Sequence, residues 1–176
     1  MSMKLNAGDA LPKIEVPILN GGALTLGATE AADRWALVIV YRGKHCPLCT
    51  RYLGDLNGML ADFDAVGVDV VAVSADPAEK AAAHTQDIGV DFPIGYDLSL
   101  DQMKALGLYV SDPRSPEETD RPFAEPGLFV VNANGALQIV DVSNAPFARP
   151  DLKTVLMGLK FVRDPANAYP IRGMRQ

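Results

Sequence analysis

The 176-residue chain has two cysteines, Cys46 and Cys49, and they stand three positions apart in Lys44-His45-Cys46-Pro47-Leu48-Cys49. A pair at that spacing can pass a bond between its own sulfurs, provided the first thiol ionises easily. The β-branched run from Trp35 to Tyr41 reads as a buried strand leading to the pair. From Pro47 the apolar positions Cys49, Leu53, Leu56, Leu60 and Phe63 advance by 4, 3, 4 and 3, one face of a helix predicted to end near Gly67. A strand, a sharp turn and a helix put Cys46 at the N-cap and Pro47 where a missing N–H costs nothing. A thiolate there would accept hydrogen bonds from the amides of Leu48 and Cys49 and feel the positive helix end, so its pKa should fall below about 8.5. Cys46 is the expected nucleophile and Cys49, one turn on, the expected resolving thiol. Attack on a disulfide gives a mixed disulfide, attack on a peroxide gives a sulfenic acid, and Cys49 can discharge either.

Arg42, Lys44 and His45 lie within four residues of Cys46 and are candidates to stabilise the anion. His45 reads equally as an exposed turn residue, and His84 as a residue on a helix surface. A zinc half-site would need a second cysteine pair, and the chain has neither that nor more than two histidines, so no metal is expected. Two inert buried thiols are the other bland reading, because Cys49 falls on the apolar helix face.

The surrounding pattern supplies a scaffold. Residues 1–30 read as an N-terminal hairpin with short strands at Ile14-Glu15-Val16 and Leu24-Thr25-Leu26 around Asn20-Gly21-Gly22. Val68 to Ser74 reads as a second buried strand, and Asp76 before Pro77 as the cap of a helix reaching Ile88. Ser99 and Gly107 bracket a short helix. Residues 111–125 hold three prolines and seven charged side chains, a long polar loop in which Glu117 and Glu118 are candidates for a lid. Gly127 to Val131 and Ala136 to Val140 form a predicted antiparallel hairpin across Asn132-Ala133-Asn134-Gly135. A closing helix is predicted from near Pro150, with Leu152, Val155, Leu156 and Leu159 as its inner face, before a tail over 164–176. Alternating strands and helices predict an α/β fold in one domain spanning 1–176.

Composition narrows the partners. With 16 basic and 22 acidic residues the net charge is −6, which argues against nucleic acid or an anionic membrane surface as a partner. No apolar run approaches the roughly 18 residues of a spanning helix, and Met1 to Asp9 carries no apolar leader, so the cytoplasm is the expected compartment.

Taken in order, these motifs resemble the thioredoxin-fold superfamily, and within it the peroxiredoxin-like alkyl hydroperoxide reductase / thiol-specific antioxidant family. The likeness runs through Gly8-Asp9-Ala10-Leu11-Pro12, the segment from Val40 to Cys49, Val71 to Asp76, Phe92-Pro93 with Tyr96-Asp97, and Gly127 to Asn132. It implies a thioredoxin-like fold, a central mixed β-sheet flanked by helices, a reactive cysteine and frequent homodimers. Typical members carry Thr or Ser three residues before the reactive cysteine and Pro seven before it, where this chain has Gly43 and Ile39. The family Arg before the Gly-Leu-Phe strand is replaced by Pro126, which resembles the thioredoxin proline beside the active-site disulfide and so is expected to follow a cis bond from Glu125. The cationic role is expected to pass to Arg42 or to Arg149 in Phe147-Ala148-Arg149-Pro150.

The reading that results is a thiol-dependent antioxidant oxidoreductase without a cofactor. Cys46 attacks a small-molecule peroxide, Cys49 resolves to a Cys46–Cys49 disulfide, and an external thiol supplies electrons. Two alternatives stay open: a glutaredoxin- or thioredoxin-like reductase acting on a disulfide substrate, and a non-enzymatic redox-sensing module.

Overall fold

The computed structural model describes residues 3–175, so Met1, Ser2 and Gln176, the ends of the predicted hairpin extension and tail, lie outside the described residues. The strands are β1 (Glu15–Pro17), β2 (Ala23–Thr25), β3 (Trp35–Val40), β4 (Val68–Val73), β5 (Ile94–Gly95), β6 (Val110–Ser111), β7 (Phe123–Ala124), β8 (Gly127–Val131) and β9 (Leu137–Val142). The α-helices are α1 (Pro47–Asn57), α2 (Leu60–Ala65), α3 (Ala78–Ile88), α4 (Leu100–Ala105) and α5 (Leu152–Arg163). Five strands form a mixed sheet in the order β5-β4-β3-β8-β9. β3 runs parallel to β4 and antiparallel to β8, so the central strand is hydrogen-bonded on both edges.

Alternation along β3 divides the core. Ala36, Val38 and Val40 face one layer, with Val16 and Leu26 from the N-terminal hairpin, Met103 and Phe129. Leu37, Ile39 and Tyr41 face the other, where α1 and α5 bring Cys49, Leu53, Leu56, Leu156 and Leu159. The thioredoxin-like α/β architecture expected from the sequence is the one observed, with the turn after β3 delivered against the start of α1. No helix among the described residues is long and apolar enough to cross a membrane.

Several local expectations change. The helix predicted from Pro47 to near Gly67 breaks at Gly58 and Met59 into α1 and α2. Glycine is a poor helix former, and the Asn57 side chain turns away to accept from the Asp91 amide at 2.7 Å. Asp76 does not cap α3; Pro77 is the N-cap residue, without a side-chain bond, and the Asp76 carboxylate serves the active turn instead. The polar loop predicted over 111–125 is bounded by a small antiparallel pair, β6 with β7. By contrast, α4 carries a full capping box between Ser99 and Gln102, and Asp151 caps α5 by accepting from the Thr154 amide at 2.9 Å. At the far end of α5, Arg163 donates to the Asp33 carbonyl at 3.2 Å and lies over the Trp35 ring at 5.1 Å.

The Glu125–Pro126 bond is trans, as is every peptide bond among the described residues, which corrects the cis expectation. The Glu125 amide donates to Tyr109 and the Pro126 carbonyl accepts from Ser143, so the chain passes extended from β7 into β8, a path that the trans form serves.

Candidate active site

The turn after β3 is shaped by one close approach. Gly43 has φ +131°, and a Cβ built there would lie 2.6 Å from Asp76 Oδ1. The same carboxylate accepts from the Lys44 amide at 2.7 Å, fixing the turn from below. A side chain at this position, where the resemblance implied Thr or Ser, therefore has no room, which accounts physically for Gly43. The Cys46 amide then donates to the Gly43 carbonyl at 3.1 Å, and Cys46 becomes the N-cap of α1 with Pro47 in the first helical turn. Of the two amides expected to reach the sulfur, that of Cys49 does so, donating to Cys46 Sγ at 3.2 Å.

Charge separates the two thiols. The Cys46 pKa is lowered, first by the Cys49 side chain, which donates to it, against the upward push of burial, then by the Cys49 amide and by Arg42. Cys49 moves the opposite way, because it is the donor to Cys46 and is buried, although Arg149 pulls it down. Cys46 is 1% exposed and Cys49 0%, so an attacking or attacked group must be small or must open the turn.

Arg42 is the cation beside Cys46. Its guanidinium sits over the Phe123 ring at 4.7 Å and pairs with Glu125 at 3.2 Å and with Glu118 at 3.9 Å. Nε of Arg42 and Oε2 of Glu125 are buried and make no hydrogen bond despite that distance. Glu125 is otherwise held by Ser111 Oγ at 2.7 Å. Arg42→Met is expected to lower stability by about 3 kcal/mol, since it strands a buried carboxylate, and the denaturant midpoint measures this. An unchanged midpoint would show that Arg42 leaves Glu125 electrostatically untouched.

The other candidates separate. Lys44 contributes its amide while its side chain is exposed. His45 is half-buried with its ring edge-on to Phe123 at 4.5 Å; burial and then Arg42 lower its pKa, so near neutral pH it brings no charge to the turn. His84, expected on a helix surface, is buried against α1, with Nε2 2.8 Å from Thr50 Oγ1, because Ala81 and His84 form the inner stripe of α3. Arg149 approaches the other sulfur, donating to Cys49 Sγ at 3.1 Å. Pro126 is buried and lines a small cavity with Tyr52, Arg149 and Pro150. Beside the turn opens a cleft of about 830 Å³ whose lining includes Lys44, His45, Asp76, Lys80, Glu118 and Thr119.

Asp76, Glu125 and Tyr52 escaped the sequence reading. Asp76 was visible as a helix cap and as the end of a resemblance segment, and Glu125 as one charge in a polar loop and the residue before Pro126, neither as part of the site. Tyr52 follows α1 periodicity off its apolar face and carried no signal at all.

The AhpC/TSA family model matches residues 7–140. A Mycobacterium tuberculosis protein with a provisional peroxiredoxin name is 30% identical over 106 residues, 60% of this chain and 66% of that one. The 1-Cys peroxiredoxin of Medicago truncatula is 27% identical over 123 residues, 66% of this chain and 53% of that one. The chain thus spans 53 to 66% of the length of these curated relatives. Among solved structures, a cysteine-to-serine variant of peroxiredoxin 6 from Arenicola marina superposes with a TM-score of 0.76 at 22% identity, covering 92% of this chain and 75% of that one. Reduced 2-Cys peroxiredoxin of Plasmodium vivax gives 0.77 at 14% identity, over 98% of this chain and 89% of that one. At such identities these two likenesses speak for the fold.

Proposed function

The chain belongs to the AhpC/TSA family, and from that premise we propose that it is a thiol-dependent peroxidase with Cys46 as nucleophile and Cys49 as resolving thiol. The observation that supports this most is the Cys46 sulfur at the α1 N-cap, bonded by the Cys49 amide at 3.2 Å. In the first step the thiolate attacks the terminal peroxide oxygen. The O–O bond breaks, Cys46 becomes a sulfenic acid, and the departing alkoxide or hydroxide takes a proton. Cys49 then attacks the sulfenic sulfur, releasing water and closing the Cys46–Cys49 disulfide. Two external thiols return the pair to the reduced state.

Arg42 is the group of this site suited to the developing oxyanion, in place of the Thr hydroxyl for which the turn has no room. The finer parts of the proposal are the whole chain acting as one domain, the cytoplasm as its compartment, and a homodimer as the working unit. Sedimentation at the mass of a single chain would remove the last of these.

Stopped-flow consumption of hydrogen peroxide by the reduced protein tests the reaction. A free thiol of pKa about 8.5 is roughly 3% ionised at pH 7, so full ionisation alone can raise the rate about thirtyfold. The expected second-order rate exceeds that ceiling, the surplus coming from stabilisation of the breaking O–O bond. Its pH profile rises as Cys46 loses its proton and levels off, with a midpoint below 8.5 because the pKa is lowered in the fold. A rate no greater than that of free cysteine, with a midpoint at the ordinary thiol value, would defeat the proposal.

A further inference from the structure

Arg149 meets the sulfur of Cys49, as Arg42 neighbours that of Cys46, and is built into place. Its Nε donates to the Pro146 carbonyl at 2.8 Å, and its guanidinium lies over the Tyr52 ring at 4.8 Å. Tyr52 is itself fastened, donating through its hydroxyl to the Pro150 carbonyl at 2.7 Å. The remaining edge of the fork, Nη2, meets Cys49 Sγ at 3.1 Å. In the reduced pair this contact has no evident task, since Cys49 is the protonated partner that donates to Cys46. A wholly buried sulfur that must at some stage carry a negative charge does need a cation beside it.

We propose that Arg149 is a catalytic residue of the return half of the cycle, receiving Cys49 as the leaving thiolate when an external thiol opens the Cys46–Cys49 disulfide. The inference rests on the disulfide reading given above. An incoming thiolate attacks Cys46 Sγ, which at 1% exposure it reaches by opening the turn at the exposed Pro47 and Leu48, while Cys49 lies at 0% exposure against Arg149. A new S–S bond forms between the external sulfur and Cys46. The old S–S bond breaks, and its electron pair leaves on Cys49. A second external thiolate then attacks the external sulfur of the mixed disulfide, frees Cys46 as the thiolate, and carries away the oxidised dithiol, while Cys49 takes up a proton. Two electrons enter from two thiols and no other reductant is needed.

The leaving sulfur governs this exchange, because a thiol of lower pKa departs faster. At that moment Cys46 is bonded to sulfur and no longer receives the Cys49 proton. The groups that face Cys49 are then Tyr41, uncharged and buried at the end of β3, and Arg149 from the segment before α5. Arg149 is thus the counter-charge available to the departing thiolate. Arg42 serves the oxidation of Cys46 and Arg149 its release.

Two measurements test the division. In a Cys46→Ser background, thiolate absorbance near 240 nm against pH reads Cys49 alone. Adding Arg149→Met is expected to raise the midpoint by about one pH unit or more. Arg149→Gln, which keeps a donor and the side chain's polarity, is expected to raise it too and serves if the Met variant does not fold. Separately, protein with both cysteines is oxidised with diamide and reduced by dithiothreitol in stopped flow. Because a leaving thiol of higher pKa departs more slowly, each unit by which the Cys49 pKa rises is expected to slow reduction by about a few-fold. An unmoved Cys49 midpoint, or equal reduction rates with and without Arg149, overturns the proposal. Because diamide makes the disulfide without peroxide, a failure of peroxidase activity would leave this result readable.

Discussion

Cys46→Ser is expected to abolish peroxide consumption, with a fall on the order of a thousandfold or more, because a serine hydroxyl stays protonated where the thiol ionises. Oxygen replaces sulfur at an N-cap, a position that serine serves well, so the cap and the start of α1 should persist. The expected signature is therefore loss of reaction with an unchanged thermal midpoint. Cys49→Ser should behave differently. Its first turnover proceeds, but the sulfenic acid has no partner within the chain and advances to the sulfinic state under excess peroxide. Mass spectrometry after one and after many equivalents distinguishes the two variants. Peroxide consumption retained by Cys46→Ser would remove the assigned nucleophile.

Gly43→Thr, which introduces a residue that the family resemblance implied here, is expected to damage the protein. The new Cβ would lie 2.6 Å from Asp76 Oδ1 and 2.9 Å from Asp76 Cγ, at a φ of +131° that a β-branched residue rarely adopts. Backbone strain of about 1–3 kcal/mol adds to the loss of the Lys44 amide bond to Asp76, about 1 kcal/mol, for a total of about 2–4 kcal/mol. The denaturant midpoint should fall accordingly. The peroxide rate should drop by about tenfold or more, since a turn displaced by an ångström no longer holds the sulfur over the helix end. A faster rate than the parent would show instead that the turn accepts a hydroxyl and that Asp76 yields.

Parts of this arrangement were legible in the chain because they are local. The β-branched run from Trp35, the apolar spacing from Cys49 to Leu56 and the Cys46-Pro47 start define β3 and α1, and with them the N-cap position of the nucleophile. Ser99 with Gln102 is local in the same sense. What was not legible depends on residues that only the fold brings together. Arg149 meets Cys49 across 100 positions, so nothing in its neighbourhood distinguished the sulfur it would reach. Asp76 looked like a helix cap, as Asp before Pro often does, until the turn beneath Gly43 claimed its carboxylate. His84 looked like a surface residue because a polar side chain on a helix usually is one; Thr50 gives it a buried partner. Pro126 resembles in sequence a proline of a related fold, but the run from β7 into β8 is extended and its bond is trans.

The placement of Trp35 bears on how the protein can be watched. It is the sole tryptophan, it lies at the opposite end of β3 from the cysteine turn, about 17 Å of strand away, and it sits beneath Arg163 of α5. Tryptophan fluorescence, excited apart from the tyrosines, is consequently expected to gauge whether the C-terminal helix stays docked rather than electron traffic at the sulfurs. Unfolding curves and redox titrations on this chain thus require separate optical channels.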